Sequence, residues 1–482
     1  MANRSRTYFH TSISLIFSNL TIKILTMTSI SLSPSLRTES KQFLKLAIPL
    51  TSAQIAQSLT GFFDTIMMGR LGAETLAAGG LASWTFIAIL HTVAGVVMGI
   101  SPLIAEAYGA RNKTRIEKLT RQGFWLVLLL SIPMMISISH LDKIMLQWGQ
   151  TEATVTLANS YLDIILWGFF PALGFAMLRS VVSGLSQARP VMIIVTFGTI
   201  FNIIGNYVLG FGKFGFPRLE LAGLAISSAL SFWLMFVALI VYIIKHSQLR
   251  EYRFFQQLHQ LKPNMIAQLC KTGIPIGIFM ALELGLFTVV TYLMGALGTE
   301  VLAAHQVVFQ TIMVTFTIPL GMSFATTARV GQWLGRKDKL GIKRAGYISI
   351  GIGFVVMSLL AIAMFSFPKA IIGIYLNPND PANAEIIALA IPILRIASLS
   401  QILDAVQKIT YGALQGLQDT RIPVLLNISA FWGVGLSTGY VLGFYFDLGG
   451  VGLWLGQSLG VAVAAILFLW RFRDYIINIF KQ

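Results

Sequence analysis

The sequence predicts an all-α polytopic membrane protein, with twelve transmembrane helices in two six-helix bundles related by a pseudo-twofold axis along the membrane normal. Three observations lead there: an apolar, charge-poor composition, twelve runs long enough to cross a bilayer, and a second half that repeats the first. Of 482 residues, 55% belong to the AVILMFWYC set and only 11% are charged. A soluble chain of this size carries roughly 25% charged residues. Mean hydropathy is +0.75.

Crossing roughly 30 Å of hydrocarbon takes about 20 apolar residues in a helix. Such runs occur at 42–67, 79–104, 122–140, 157–179, 190–212, 221–244, 266–294, 301–327, 345–367, 387–412, 423–445 and 449–470. The net charge of +16 would also suit a nucleic-acid binder, but its distribution does not. Of 35 Lys and Arg, 23 fall to the even-numbered connections and the C-terminus, as in Arg111, Lys113, Arg115, Lys118 and Arg121. The odd-numbered connections hold five: Arg70, Lys143, Lys213, Arg218 and Lys369. The positive-inside rule then puts both termini and every even connection in the cytoplasm. Arg395 reads as the lone intramembrane cation.

The internal repeat is direct. GRLGAETLAAGG at 69–80 returns as GALGTEVLAAHQ at 295–306, an offset of 226. Ile48-Pro49 aligns with Ile274-Pro275, and AYGARNK (107–113) with WLGRKDK (333–339). Tyr207-Val208-Leu209-Gly210-Phe211 recurs as Tyr440-Val441-Leu442-Gly443-Phe444, and GLSQARPV (184–191) as GLQDTRIPV (416–424). The predicted organisation is an N-terminal extension (1–40), a first bundle (41–250), a cytoplasmic linker (251–263), a second bundle (264–475) and a cytoplasmic tail (476–482). Six spans return the chain to its starting side, so the bundles are parallel repeats, an architecture that suits rocking around a shared cavity. Residues 1–38 hold no Asp or Glu. Three readings compete for them: a secretory signal, disfavoured by Asn19 and Lys23; an organelle transit peptide; or an over-extended start with Met27 as initiator.

An ionised side chain at mid-membrane costs about 2.5–3.5 kcal/mol even on the lenient insertion scale, so each one needs a reason. Three carboxylates lie inside spans: Asp64, Glu283 and Asp404. Asp64 tops a stripe of Gln54, Gln57 and Gly61 on one face of the first helix. Glu283 has no cation within a turn of its own helix, which leaves it protonated or wrapped around a bound cation. Asp404 lies among Gln401, Gln407 and Tyr411, with Lys408 at i+4 as a salt-bridge partner. Asn202 with Asn206 and Gln306 with Gln310 form i, i+4 amide pairs that serve either as interhelical glue or as a cavity lining. Glu106, Asp163 and Glu385 sit at span ends and need no functional role.

Other chemistries find no support. Cys270 is the single cysteine, so an intrachain disulfide, a CxxC pair and a thiolate cluster are excluded. The six histidines never fall at HExxH spacing, and no GxxxxGK[ST] motif is present for ATP. An intramembrane enzyme would need a dyad or metal cluster that the spacing does not supply.

The Asp64-Thr-Ile-Met-Met-Gly-Arg-Leu-Gly segment, its echo at 295–306, and Gln415-Gly416-Leu417-Gln418-Asp419-Thr420-Arg421 resemble the multidrug and toxic compound extrusion (MATE) family over residues 41–475, and its NorM-like branch in particular. The resemblance implies a secondary antiporter, and not an enzyme, that expels small organic, often cationic, compounds in exchange for Na⁺ or H⁺. It needs no cofactor beyond that ion. It implies cation coupling at Glu283, Asp404 and Asp64, with Glu283 and Asp404 as Na⁺ ligands if sodium is used. The expected polar cavity comprises Asn202, Asn206, Gln57, Gln306, Gln310, Gln401 and Tyr411. A tyrosine used by some members one turn before the tenth-helix Asp is Ser400 here. The expected setting is a bacterial inner (plasma) membrane, as a monomer. The alternative within the superfamily is a lipid-linked oligosaccharide flippase, for which a basic cavity would be expected.

Overall fold

A computed structural model of the chain describes residues 34–147 and 149–479. The proposed readings of residues 1–33 lie outside them. Contacts divide the chain at Gln42/Phe43. Residues 34–42 form the opening turns of the first helix.

Among the described residues twelve long helices follow one another: α1 Pro34–Leu71, α2 Ala73–Gly109, α3 Lys113–Ile138, α4 Glu152–Gly184, α5 Arg189–Gly210, α6 Glu220–Lys245, α7 Pro263–Ala296, α8 Thr299–Gly335, α9 Lys339–Ser366, α10 Pro381–Gly416, α11 Arg421–Tyr445 and α12 Gly449–Asn478. Eleven of them, α2 to α12, are long and apolar enough to cross a membrane. α1 is long enough at 38 residues, but its Gln54, Gln57, Thr60 and Asp64 dilute its hydropathy. Pro49 and Pro275 sit inside helices that continue through them.

The repeat is built into the backbone. Gly72 (φ 141°) and Gly298 (φ 126°) open α2 and α8, and each carbonyl accepts from the amide four residues on, Leu76 and Leu302, at 3.0 Å. That φ is open to glycine and costly for a side chain. Arg111 (φ 55°) and Lys337 (φ 57°) reverse the chain after α2 and α8. Asn112 and Asp338 then cap α3 and α9 by accepting from Arg115 and Gly341 backbone N–H groups at 3.0 and 2.9 Å. Ser186 (φ 65°) and Gln418 (φ 62°) repeat the device after α4 and α10. Even the π-helical widening of α5 at Asn206–Gly210 returns in α11 at Val441–Tyr445.

Small residues bring the halves together. Gly95 and Gly99 of α2 meet Gly277 and Gly273 of α7 backbone to backbone, and Gly109 meets Gln332 of α8, leaving no room for a Cβ. Gly335 lies against the Glu106 carbonyl, and Gly321 against Thr51 of α1. In lipid, where apolar burial gives helices no drive to associate, such close approach supplies the packing. Residues 95–109, 273–277 and 321–335 lie toward the even-numbered connections, so the seam closes on that side. Gln332 Nε2 donates across it to the Gly184 carbonyl (2.9 Å) and Ser186 Oγ (2.8 Å). The segment between α6 and α7 straps over α3: Trp125 Nε1 donates to the Leu258 carbonyl at 2.6 Å, and Gln122 pairs with the Gln260 carbonyl and Lys262 N–H at 2.8 Å each.

Candidate ion-coupling site

Long side chains reach between α7 and α10, so that Glu283 meets a cation 125 residues away. Lys408 Nζ donates to Glu283 Oε1 at 2.5 Å and to Oε2 at 2.8 Å. The ammonium is also set between the rings of Phe279 (5.2 Å) and Phe316 (4.8 Å). The lysine side chain is 4% exposed and the glutamate 18%. Sequence reasoning paired Lys408 with Asp404 and left Glu283 without a cation; both expectations are corrected. Spacing along one helix cannot show how α10 is rotated, and that rotation turns Lys408 to α7. Asp404 is half-buried one turn before Lys408, and both Lys408 and Glu283 act on it electrostatically.

The rest of this wall comes from the same α10 face. Tyr411 stacks on Phe279 with centroids 3.9 Å apart, which fixes the ring beneath the ammonium. Gln401 is buried, with Nε2 donating to the Ile312 carbonyl at 3.3 Å and Oε1 unpartnered. Both amide atoms of buried Gln407 are unpartnered.

A second cluster joins α1, α5 and α6. Asn206 Nδ2 donates to Asp64 Oδ1 at 2.5 Å and to Asn202 Oδ1 at 3.3 Å, and Asn202 Nδ2 donates to Ser228 Oγ at 3.0 Å. Asn206 heads the π-turn, the kind of helix irregularity that re-aims a side chain at functional sites. Asp64, Asn202 and Asn206 are therefore brought together. Gln57 belongs to a different group: Arg179 Nη1 donates to Gln54 Oε1 at 2.9 Å and to Gln57 Oε1 at 3.3 Å. Gln306 and Gln310 are exposed on α8, and no hydrogen bond among the described residues ties them to either cluster.

Several signals were missed. Arg179 and Lys408, counted with the even connections, lie in helices and inside the spans 157–179 and 387–412. Arg395 is thus not the lone intramembrane cation, and a shortage of such cations is no argument against a flippase. Glu106, set aside as a span-end residue, ties the seam. It accepts from Arg115 Nη1 at 3.1 Å and from Gln418 Nε2 of the other half at 2.6 Å. The spacings Gly95/Gly99, Gly273/Gly277 and Gly331/Gly335 are GxxxG signals visible in the sequence. His305 is a buried node. Trp454 Nε1 can only donate, so His305 Nδ1 accepts at 3.2 Å and its Nε2–H points to Thr291 Oγ1 at 3.2 Å. No group of three or more His, Cys, Asp or Glu among the described residues could hold a metal.

The MatE family model matches this chain twice, over residues 49–208 and 275–441. The chain belongs to that family, the MATE transporters. Its two matches fall on the two repeats read from the sequence. A probable multidrug resistance protein NorM from Synechocystis sp. is 51% identical over 452 residues, covering 94% of this chain and 98% of the relative. A protein of the same description from Synechococcus sp. is 53% identical over 449 residues, 93% and 97% of the two chains. Among solved structures, the outward-facing conformation of a multidrug resistance MATE family transporter of the MOP superfamily superimposes with TM-score 0.84. It is 22% identical, over 92% of this chain and 97% of that one. A eukaryotic MATE transporter gives 0.79 at 21% identity, over 93% and 97%. At those identities the structures speak for the fold alone. This MATE protein is an integral polytopic membrane protein and a secondary active transporter.

Proposed function

We propose that this transporter exports organic, often cationic, compounds in exchange for inward Na⁺ or H⁺, as a monomer in a bacterial plasma membrane with both termini cytoplasmic. The observation that carries the reading is the charge count around α7 and α10. With Glu283 and Asp404 ionised and Lys408 paired to Glu283, the wall carries one net negative charge inside the membrane. One monovalent cation balances it. An organic cation and a coupling cation therefore compete for the same charge, and arrival of the second releases the first. Lys408 is a tethered cation that keeps Glu283 from standing unpaired between the two. Asp64 with Asn202 and Asn206 forms a second polar locus in the N-terminal half, and Gln57, Gln401 and Tyr411 line the polar cavity.

Because the seam closes toward the basic, even-numbered connections, the state described faces outward, the side on which cargo is released. The domain boundaries 41–250 and 264–475 are supported by the duplicated turns and caps. Inward movement of one charge supplies about 2.3 kcal/mol per 100 mV. The identity with NorM relatives, and not the count of intramembrane cations, favours drugs over a lipid-linked saccharide as cargo. The test is equilibrium binding of a fluorescent organic cation to the purified protein. Added Na⁺, or lowered pH, displaces the dye competitively, and Asp404→Asn removes that competition. Displacement by neither ion refutes the reading.

A further inference from the structure

Nearer the closed side than either carboxylate cluster, a small chamber lies in the seam. Both halves line it: Ser101, Arg179, Ser180 and Ser183 from one, Thr327 and Gln415 from the other. The space open to the centre of a water-sized sphere is about 20 Å³, enough for one small occupant. Arg179 is its charged group. The guanidinium touches the Gln54 and Gln57 carbonyl oxygens, the Met98 sulfur (3.9 Å) and the Phe324 ring (5.4 Å). Among the described residues no carboxylate reaches it, so a positive charge inside a span stands without a counter-ion.

Ser183 is 5% exposed, lines the chamber, and its hydroxyl has no hydrogen-bond partner. Gln415 closes the chamber from the other half, its carbonyl 3.4 Å from the Thr327 hydroxyl. Ser180 and Thr327 give their hydroxyl protons to helix carbonyls and add no charge. A cation here would face Arg179. A neutral water would leave the guanidinium uncompensated.

We infer that this chamber binds one small monovalent anion of chloride size, held by Arg179 and Ser183 and enclosed by Thr327 and Gln415 of the other half. Its lining comes from both halves, so the site exists only while the seam is closed on this side. A bound anion therefore favours this state by its differential affinity for it. The inference rests on the seam geometry and not on the identity of the coupling ion or the drug.

The test is the thermal midpoint of the full chain in lipid nanodiscs, titrated with sodium chloride against sodium gluconate at fixed Na⁺ and ionic strength. The expected result is a saturable rise in chloride only. Ser183→Ala weakens the apparent chloride affinity about tenfold, as loss of a hydrogen bond to a charged group does, and Arg179→Gln abolishes the response. Should Arg179→Gln fail to fold, the Ser183→Ala shift still decides. Bromide-soaked crystals give an anomalous peak beside the Arg179 guanidinium. Equal midpoints in both salts, an unchanged chloride affinity in Ser183→Ala, a response retained in Arg179→Gln, or a chamber holding water with no bromide peak overturns the inference.

Discussion

Lys408 and Glu283, 125 residues apart in sequence, form a bidentate ion pair at 2.5 and 2.8 Å inside the membrane span, with the ammonium held between two phenylalanine rings. The pair gives α7 and α10 a fixed relation and places the nearby carboxylate, Asp404, where a mobile cation is needed. Removing either partner strands the other. Lys408→Met is expected to destabilise the protein by about 3–5 kcal/mol, and the double variant Lys408→Met/Glu283→Gln to regain most of that loss. A double-mutant cycle of unfolding in detergent measures it. Additive losses would show that the pair contributes no coupling.

In the N-terminal half, Asn206 holds Asp64 by a single amide hydrogen bond. Asn206→Ala is expected to cost about 1.5–3 kcal/mol of stability, the usual range for a hydrogen bond to a charged group. Asp64→Asn keeps an acceptor for Asn206, so it should fold at nearly the wild-type midpoint while transport falls. Thermal unfolding alongside dye transport separates the two.

The glycine seam makes a steric prediction. Gly99 and Gly273 meet backbone to backbone, so Gly99→Val cannot keep the closed seam. Distances between spin labels on α2 and α7 should lengthen in that variant, while Gly80→Ala, where a Cβ meets nothing within 4 Å, leaves them unchanged. Unchanged distances in Gly99→Val would mean that the halves do not meet there.

Glu106 and Gln332 fasten the same seam through Gln418, Gly184 and Ser186. Glu106→Gln and Gln332→Ala should each raise the population of the opposite state, read as faster labelling of a cysteine placed at Ser101. Labelling at the wild-type rate in both would assign these bonds to surface packing.

Most of the fold was legible because lipid imposes simple rules. Helix length, apolar runs and the Lys/Arg asymmetry are one-dimensional signals, and the repeated turn residues Gly72/Gly298 and Arg111/Lys337 carry their geometry in short motifs. The carboxylates Asp64, Glu283 and Asp404 stood out because charge in a span is costly. Their partners did not. Lys408 and Arg179 lie close to where span ends were drawn, so both were counted with the loops. Which carboxylate Lys408 meets depends on helix rotation, which periodicity does not give. Gln306 and Gln310, a legible i, i+4 pair, lie exposed on α8 outside both carboxylate clusters. The GxxxG pairs were readable but are common in membrane helices, and only the approach of α2 to α7 singles them out.

The central claim is that a mobile cation and the cargo compete for the charge of Glu283 and Asp404. Its most direct measurement is gradient-driven movement of an organic cation in vesicles, under imposed ΔpH or ΔNa⁺, for wild type, Glu283→Gln and Asp404→Asn. Transport driven by one of the gradients in wild type and lost in both variants, each still folded and inserted, is the predicted result. Full transport in Glu283→Gln, or wild-type transport indifferent to both gradients, would contradict it.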